Sequence, residues 1–385
     1  MKKLALLGAT GSIGKSSLQL LRQHPGWLKV EVLSAHRNLE NLMSLVREFK
    51  PSWACLTGEE VGHEQIGECS DLGCRLIQGR GELLDLLQRE FFDVLLLAVS
   101  GAAGLEYGLA ALEKGSRLAI ANKEPLVIAG HLFKKVEKIS HGCILPVDSE
   151  HSAILQCLAG HGPQDVERLV LTSSGGPFHQ RHSHFDEIKI SEALKHPTWS
   201  MGNKITIDSA TMMNKALEVV EAKWLFDIPL ERIDVVVHRQ SIVHSMVEFV
   251  DGSMMAQMGV TDMQFPILYA LSYPERWPSK LPRLSFKDKL HLTFEPLNPF
   301  LNQAIELVKE YGDDPVSTVL LNAANEIFVD HFLKGLVPFH AVYEHIRQVV
   351  CEGRQGVSYP NSLSDVLALD AEGRRLSSEL FQLCL

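Results

Sequence analysis

Short, nearly continuous apolar runs alternate with segments of helical periodicity over the first 150 residues. The apolar runs occupy residues 4–7, 30–33, 53–56, 94–99, 118–121 and 143–147. Apolar positions three and four apart lie between most of these runs, as at 39–49 and 105–114. Continuous apolar strands joined by helices are typical of a parallel sheet covered on both faces. The pattern therefore predicts a doubly wound, Rossmann-like α/β domain over residues 1–147, of the kind that binds dinucleotides.

A second α/β region follows, over residues 148–273. A strand is predicted at 168–172 and a strong helix at about 210–226, with a polar stretch between them that is rich in Gly, His, Ser and Pro. Because a connection as long as residues 174–203 is usually a binding loop or a lid, we expect a lid over this segment. Strands are predicted at 233–238, 243–250 and 254–258. The last two flank Asp251-Gly252, a hairpin signal, so the sheet is expected to be partly antiparallel.

The remainder of the chain changes character twice. Residues 274–299 carry five prolines and are predicted to form a linker. From residue 300 to 385 the periodicity is helical, at 302–311, 316–333, 339–350 and 370–383. A C-terminal helical bundle is expected there.

Composition restricts the classes of function. Hydrophobic residues make up 45% and charged residues 22% of the 385 residues, as in ordinary globular proteins of two or three domains. The net charge of −10 argues against a nucleic-acid partner, so an anionic ligand needs a local positive site. The seven cysteines form no C-x-x-C pair, which favours a reducing, cytoplasmic compartment. Because no apolar run reaches the ~18 residues of a membrane span, we expect no membrane association.

The first candidate site is the glycine-rich turn from Gly8 to Gly14, directly after the first strand. Glycines let the backbone approach a pyrophosphate that sits on the helix N-terminus. The alternative is a tight turn in a fold that has lost its cofactor. At the end of the second strand, Arg37 stands where an acidic residue would bind a ribose hydroxyl. Its guanidinium suits a 2′-phosphate and favours NADP, although it could also be a solvated side chain.

Polar side chains follow two further predicted strands. Asn122, Lys123 and Glu124 come after one strand, where ligands bind in open parallel sheets, although a plain helix start is equally compatible. Asp148 and Glu150 are two residues apart, so in extended backbone they would point to one side. Carboxylates that converge in this way suit Mg²⁺ or Mn²⁺. A helix cap is the competing interpretation.

A third set lies on the helix predicted at about 210–226. Asn214 and Lys215 are four and three residues before Glu218, so all three share one helix face. Glu218 would complete a three-carboxylate metal site, whereas the alternative is an exposed ion pair. Trp199 and Met201 are unusual on a polar loop and fit a lid that closes over a ligand, with satellite packing as the alternative.

Together these motifs resemble the 1-deoxy-D-xylulose 5-phosphate reductoisomerase family. The resemblance extends from the Gly8 turn to Asn322-Ala323-Ala324-Asn325-Glu326 and so covers most of the chain. The blocks that carry it are Asn122-Lys123-Glu124, Val147-Asp148-Ser149-Glu150-His151, Ser174-Gly175-Gly176-Pro177-Phe178, His196-Pro197, Trp199-Ser200-Met201-Gly202 and the segment from Ser209 to Glu218. It implies an NADPH- and divalent-metal-dependent oxidoreductase, a homodimer, that rearranges and reduces 1-deoxy-D-xylulose 5-phosphate to 2-C-methyl-D-erythritol 4-phosphate in isoprenoid precursor biosynthesis.

The resemblance also implies residue roles. Metal ligands would be Asp148, Glu150 and Glu218, and catalysis would involve these three and Lys123. The phosphorylated sugar would be bound by Lys123, Ser149, Glu150, Ser174, His196, Trp199, Ser209, Asn214, Lys215 and Glu218. NADPH would be bound by Thr10, Gly11, Ser12, Ile13, Arg37, Asn38, Asn122, Lys123, Glu124, Met201 and Gly202. The chain departs from the usual family pattern at His36, Pro125, Ala216 and Arg239.

Two other functions remain open from the residues. A plain NADP-dependent dehydrogenase would not need three converging carboxylates, and it would keep full activity in EDTA. A non-catalytic NADP sensor would bind the cofactor without turnover, and the presence of Lys123 and the three carboxylates argues against it.

Overall fold

A computed structural model describes residues 1–99, 101–197 and 202–383. The fold divides into two compact units. The first comprises Met1–Pro125, Phe133–Ser152 and Asp262–Leu281, and the second comprises Leu126–Leu132, Ala153–Thr261 and Pro282–Leu385.

The first unit is built on a seven-stranded parallel sheet. Its strands are β1 (Lys2–Leu7), β2 (Leu28–Ala35), β3 (Trp53–Leu56), β4 (Arg75–Gln78), β5 (Val94–Leu97), β6 (Arg117–Ile120) and β7 (Cys143–Pro146). They lie in the order β4-β3-β2-β1-β5-β6-β7, and every neighbouring pair is parallel. The order reverses between β1 and β5, which is the switch point where open α/β sheets bind ligands. The predicted doubly wound sheet is confirmed.

Helices alternate with these strands. They are α1 (Ser12–Gln23), α2 (Leu39–Phe49), α3 (His63–Asp71), α4 (Gly79–Arg89), α5 (Leu105–Glu113), α6 (Glu124–Ile139) and α7 (Ser149–Cys157). The sequence pattern missed β4 and α3, each of which has a single buried residue, Ile77 and Cys69 respectively. The helix start offered as the alternative interpretation of Asn122-Lys123-Glu124 is observed: α6 begins at Glu124, and its first turn contains Pro125, a good residue for that position.

The second unit carries a four-stranded mixed sheet. Its strands are β8 (Val166–Ser173), β9 (Ile233–Val237), β10 (Val243–Phe249) and β11 (Met254–Met258), in the order β11-β10-β8-β9. β10 is antiparallel to both β8 and β11, while β8 and β9 are parallel. Residues along β10 alternate between buried and partly exposed, as in a sheet with one face on the core. The predicted partly antiparallel sheet is confirmed.

The segment between β8 and the next helices contains more structure than a polar loop. It holds a 3-10 turn at Phe185–Glu187 and the short helix α8 (Ile190–Ala193), and it buries Phe178 and Phe185. The helix predicted at about 210–226 is confirmed as α10 (Met213–Phe226). The sequence pattern missed α9 (Asn203–Ala210), which is separated from α10 because Met212 takes a left-handed backbone conformation between them.

The remaining helices are α11 (Gln264–Ser272) in the first unit, and α12 (Pro299–Tyr311), α13 (Pro315–Leu333), α14 (Val342–Gly353) and α15 (Leu363–Leu383) in the second. The sequence pattern missed α11, which is buried along most of its length and so lacks a polar face. Helix α13 packs against both α14 and α15. The predicted C-terminal helical bundle is confirmed.

Among the helices described, none combines the length and the apolar character that crossing a bilayer requires.

Candidate functional site

The glycine turn after β1 is shaped by two glycines and left open at a third. Gly8 has a φ of 84°, and a Cβ there would lie 2.3 Å from the carbonyl oxygen of Ala98. A Cβ at Gly14 would lie 2.5 Å from the carbonyl oxygen of Gly8. At the exposed Gly11, by contrast, the nearest atom is 3.4 Å from such a Cβ. Gly8 and Gly14 therefore permit the turn itself, while the N-terminus of α1 at Gly11 is accessible to an anion.

The end of β2 presents polar side chains at the same edge of the sheet. Arg37 is exposed, and Asn38 caps α2 by accepting a hydrogen bond of 3.1 Å from the backbone N–H of Asn41. His36, a departure from the usual family pattern, places its Nδ1 3.2 Å from the Thr57 hydroxyl. The position of Arg37 after β2 is that expected of a residue contacting the ribose end of a dinucleotide.

Asn122 and Lys123 follow β6, as predicted. The side-chain amide of Asn122 donates to the carbonyl oxygen of Gly101, 3.4 Å away, at the end of the β5 connection. Its other polar atom, Oδ1, is buried and has no hydrogen-bond partner among the described residues. A buried acceptor without a partner is costly unless a ligand or water satisfies it. Lys123 is also buried, and its Nζ lies 3.2 Å from Oδ2 of Asp148.

Asp148 and Glu150 do not lie in extended backbone, so the prediction that a strand would point both carboxylates to one side is wrong. Asp148 precedes α7, and its Oδ1 accepts the backbone N–H of Glu150 at 3.1 Å, which is an N-cap interaction. Glu150 lies in the first turn of that helix, where Ser149 donates to its Oε2. Capping and ligand binding are compatible, because each carboxylate oxygen can accept more than one partner: Oδ1 of Asp148 caps the helix and Oδ2 faces Lys123.

In the second unit, a tight turn follows β8. Gly175 and Gly176 have φ values of 78° and 64°, and the Ser174 hydroxyl accepts the N–H of Gly176 at 3.3 Å. The same hydroxyl lies 3.3 Å from Nε2 of His196. Burial lowers the pKa of His196, so its imidazole is neutral at pH 7. A Cβ at Gly176 would lie 2.8 Å from the carbonyl oxygen of Ser209, so the turn and the end of α9 are in contact.

Asn214, Lys215 and Glu218 form a cluster on α10, in which Lys215 and Glu218 are buried and Asn214 is half-buried. Lys215 is 4% exposed and Glu218 is 1% exposed. Asn214 Nδ2 donates to Oε1 of Glu218 at 2.6 Å, and Lys215 Nζ contacts Oε2. The predicted shared helix face is confirmed, but the alternative of an exposed ion pair is wrong. A buried carboxylate of this kind requires compensating charge, which makes it a candidate functional group rather than a surface residue.

The structure thus brings predicted residues together within each unit. In the first unit, Lys123 contacts Asp148, and Ser149 contacts Glu150. In the second unit, Ser174 contacts His196. Glu218 of that unit contacts both Asn214 and Lys215. Trp199 and Met201 lie outside the described residues, and Gly202 is the exposed N-cap of α9. Thr10, Ser12 and Ile13 lie in the glycine turn and the first turn of α1, and Glu124 begins α6.

A doubly wound parallel sheet with an open glycine turn at its switch point defines an α/β protein of the dinucleotide-binding class. Comparison with known sequences narrows the class. Residues 4–130 match the 1-deoxy-D-xylulose 5-phosphate reductoisomerase family. Residues 144–226 and 258–376 match two models of C-terminal domains from the same family. The chain belongs to the 1-deoxy-D-xylulose 5-phosphate reductoisomerase family, as the motifs predicted.

Individual relatives agree over their full length. The 1-deoxy-D-xylulose 5-phosphate reductoisomerases of Pelotomaculum thermopropionicum and Halothermothrix orenii are each 42% identical to this chain. The alignments cover 99% of both chains in the first case and 100% in the second. A crystal structure of DOX-P reductoisomerase with NADPH, fosmidomycin and magnesium is 35% identical with a TM-score of 0.89, covering 100% of this chain and 99% of that one. The Zymomonas mobilis enzyme in complex with NADPH gives the same identity and TM-score, covering 99% of each chain.

Proposed function

We propose that this protein converts 1-deoxy-D-xylulose 5-phosphate into 2-C-methyl-D-erythritol 4-phosphate, using NADPH and a divalent metal ion, in isoprenoid precursor biosynthesis. The observation that carries the proposal is the contact of Asn214 and the buried Lys215 with the buried Glu218, in a chain that matches this family from end to end. A cation, an amide and a carboxylate held together away from water are what a small, charged, polar substrate requires.

The residues after β1, β2 and β6 fit NADPH. The accessible N-terminus of α1 at Gly11 suits the pyrophosphate, and the exposed Arg37 suits the 2′-phosphate. The orphaned Oδ1 of Asn122 is an acceptor for the carboxamide N–H of the nicotinamide. Bound there, NADPH supplies the hydride for the reduction.

Asp148, Glu150 and Glu218 are the proposed metal ligands. All three offer carboxylate oxygens, which suit Mg²⁺ or Mn²⁺ and exclude a typical zinc site. A divalent ion at these ligands supplies Lewis acidity to the oxygens of the substrate. Lys123 lies against Asp148 and orients that carboxylate, while its own positive charge favours a substrate oxygen that gains negative charge during the reaction.

The phosphate of the substrate is assigned to the second unit. Ser174, Ser209, Asn214 and Lys215 supply hydroxyl, amide and ammonium donors. His196, neutral through burial, shares a hydrogen bond with Ser174 and fixes the direction of that hydroxyl. Binding energy from the phosphate can hold the reacting end in place, with the segment 174–203 as the lid that excludes water.

We also propose a cytoplasmic homodimer, with no nucleic-acid or membrane partner. The six described cysteines are free thiols, as expected in a reducing compartment. Met254 and Met255 on the edge strand β11 are 48% and 42% exposed, and an exposed apolar edge strand can pair with a second copy of the chain. Sedimentation of the purified chain tests the dimer, and a monomer at micromolar concentration contradicts it.

The assay is oxidation of NADPH with 1-deoxy-D-xylulose 5-phosphate, with and without Mg²⁺ or Mn²⁺. Turnover should require the metal, whereas full activity in EDTA would favour a plain dehydrogenase. Glu218→Gln should abolish turnover and leave NADPH affinity intact, measured by quenching of protein fluorescence. Glu31→Gln is the matched control, because Glu31 is also a buried carboxylate with a lysine partner, Lys29 at 2.6 Å. Equal rates in the two variants would contradict the metal assignment.

A further inference from the structure

The break between α9 and α10 separates residues that are proposed to bind the same phosphate group. Ser209 lies in the last turn of α9, and Asn214 and Lys215 lie in the first turn of α10. Met212 lies between them with a φ of 58°, a backbone conformation that residues other than glycine rarely adopt. Such conformations persist where the surrounding structure holds them, and they cluster at functional sites.

Bonds within the break are local and do not fix its direction relative to the rest of the unit. The Thr211 hydroxyl donates to the carbonyl oxygen of Ile207 at 3.1 Å, and the N–H of Met212 donates to the carbonyl oxygen of Ser209 at 3.2 Å. These contacts terminate α9 by satisfying its last carbonyls. A second source of constraint is needed to set the angle at which α10 leaves.

That constraint comes from the C-terminal helices. Tyr343 on α14 is buried, and its hydroxyl donates to the carbonyl oxygen of Thr211 at 2.8 Å. Burial raises the pKa of Tyr343, which keeps the hydroxyl protonated as a donor. The bond fixes the backbone of the break at the residue before Met212.

A second buried bond holds the α9 side of the break. Asn325 on α13 is fully buried, and its Nδ2 donates to Oδ1 of Asp208 at 2.8 Å. The other oxygen of Asp208 lies 2.9 Å from Lys204 Nζ, so the carboxylate is held from two directions. Asp208 directly precedes Ser209. Helices α13 and α14 therefore hold the chain at Asp208 and Thr211, which lie on either side of Ser209 and before the start of α10.

We infer that Tyr343 and Asn325 are positioning residues for the phosphate-binding end of the substrate site. The inference rests on the proposed function. Through these two residues, α13 and α14 of the C-terminal bundle set the spacing between Ser209 on one helix and Asn214 and Lys215 on the next. Displacing bound groups by about 1 Å costs up to about a hundredfold in rate, so this spacing matters although neither residue touches the substrate.

The test is Tyr343→Phe, which removes one hydroxyl and keeps the ring. Ser377→Ala is the matched control, because the Ser377 hydroxyl makes a buried hydrogen bond of 2.6 Å to His345 between α15 and α14, within the same bundle. Loss of a buried hydrogen bond lowers the melting temperature of both variants by a few degrees. Only Tyr343→Phe should raise KM for the phosphorylated substrate, by about tenfold, with KM for NADPH unchanged.

Asn325→Asp provides a second variant, because it places a carboxylate against Asp208 and should raise the same KM further. Protection of each protein by inorganic phosphate against thermal unfolding gives a readout without turnover, and Tyr343→Phe should need about tenfold more phosphate. If the wild-type chain does not oxidise NADPH with the substrate, the proposed function is wrong. The protection of the variants by inorganic phosphate then still tests the positioning role, because it needs no turnover. Equal KM values and equal phosphate protection in Tyr343→Phe and Ser377→Ala overturn the positioning role.

Discussion

Replacing either of two glycines in the turn after β1 by alanine should have different effects: Gly14→Ala should lower the stability of the fold, and Gly11→Ala should weaken NADPH binding. In Gly14→Ala, the new Cβ would lie 2.5 Å from the carbonyl oxygen of Gly8 and 2.6 Å from Cα of Ala9. Carbon contacts are normally about 3.5–4.0 Å, so the turn must open by about 1 Å. In Gly11→Ala, the nearest atom is 3.4 Å away, which is an ordinary contact. The backbone at Gly11, with φ −77° and ψ 178°, is one that alanine adopts readily.

The magnitude follows from where the atoms collide. Overpacking of a buried site costs about 1–3 kcal/mol, and a clash with rigid backbone belongs at the upper end, about 3 kcal/mol. For a unit of this size, that corresponds to a fall in Tm of about 6–12 °C. Gly11→Ala should leave Tm within about 2 °C of wild type but weaken NADPH binding, because its methyl group stands on the helix N-terminus where the pyrophosphate is proposed to lie.

Differential scanning calorimetry and NADPH titration by fluorescence measure the two effects separately. The metal is not needed for either measurement, so the outcome does not depend on the proposed chemistry. A wild-type Tm for Gly14→Ala would show that the close approach of Gly14 to Gly8 is not a constraint. Unchanged NADPH affinity in Gly11→Ala would remove the pyrophosphate from this turn.

Three further predictions concern single side chains. Arg37→Ala should narrow the preference for NADPH over NADH, and an unchanged ratio of kcat/KM values would remove Arg37 from the cofactor site. Burial lowers the pKa of His345 from 6.5 to about 4, so between these pH values His345 is protonated in the unfolded chain and neutral in the folded chain. The contribution of this residue to the free energy of unfolding should be fully present above pH 6.5 and fall by up to about 3 kcal/mol as the pH drops to about 4. His345→Gln should flatten this part of a Tm-against-pH curve, and an identical curve would contradict the burial effect. Asp314→Ala should cost about 1 kcal/mol in urea unfolding, because Asp314 caps α13 through the N–H groups of Val316 and Ser317; an unshifted midpoint would count against that cap.

Elements with a strong periodic pattern were predictable, and elements without one were not. The helix at Leu39–Phe49 and the strand at Trp53–Leu56 have the bounds that the sequence indicated. Helix α11 was missed because it is buried along most of its length, so that burial erases the amphipathic signal. Strand β4 was missed because it is short and has a single buried residue, Ile77. Its place is set by pairing with β3.

The candidate site shows the same division. The helical spacing of Asn214, Lys215 and Glu218 predicted a shared face, and the bonds among them agree. The spacing of Asp148 and Glu150 suggested an aligned pair in extended backbone, whereas Asp148 caps a helix that begins at the next residue. Two residues of separation cannot distinguish a strand from a helix start, because the difference depends on where the backbone N–H groups find partners.

The class of sheet, the glycine turn and the family could be read from the amino-acid sequence, since they depend on periodicity, on backbone positions that accept only glycine, and on ordered motifs. Which side chains of the candidate site are buried, and which distant residues hold them in place, is seen only in the tertiary structure. The burial of Lys215 and Glu218, the left-handed turn at Met212, and the hydrogen bonds from Tyr343 and Asn325 all involve packing between segments far apart in the chain. Neither propensity nor spacing encodes such contacts, because their energy comes from removing particular groups from water against particular neighbours.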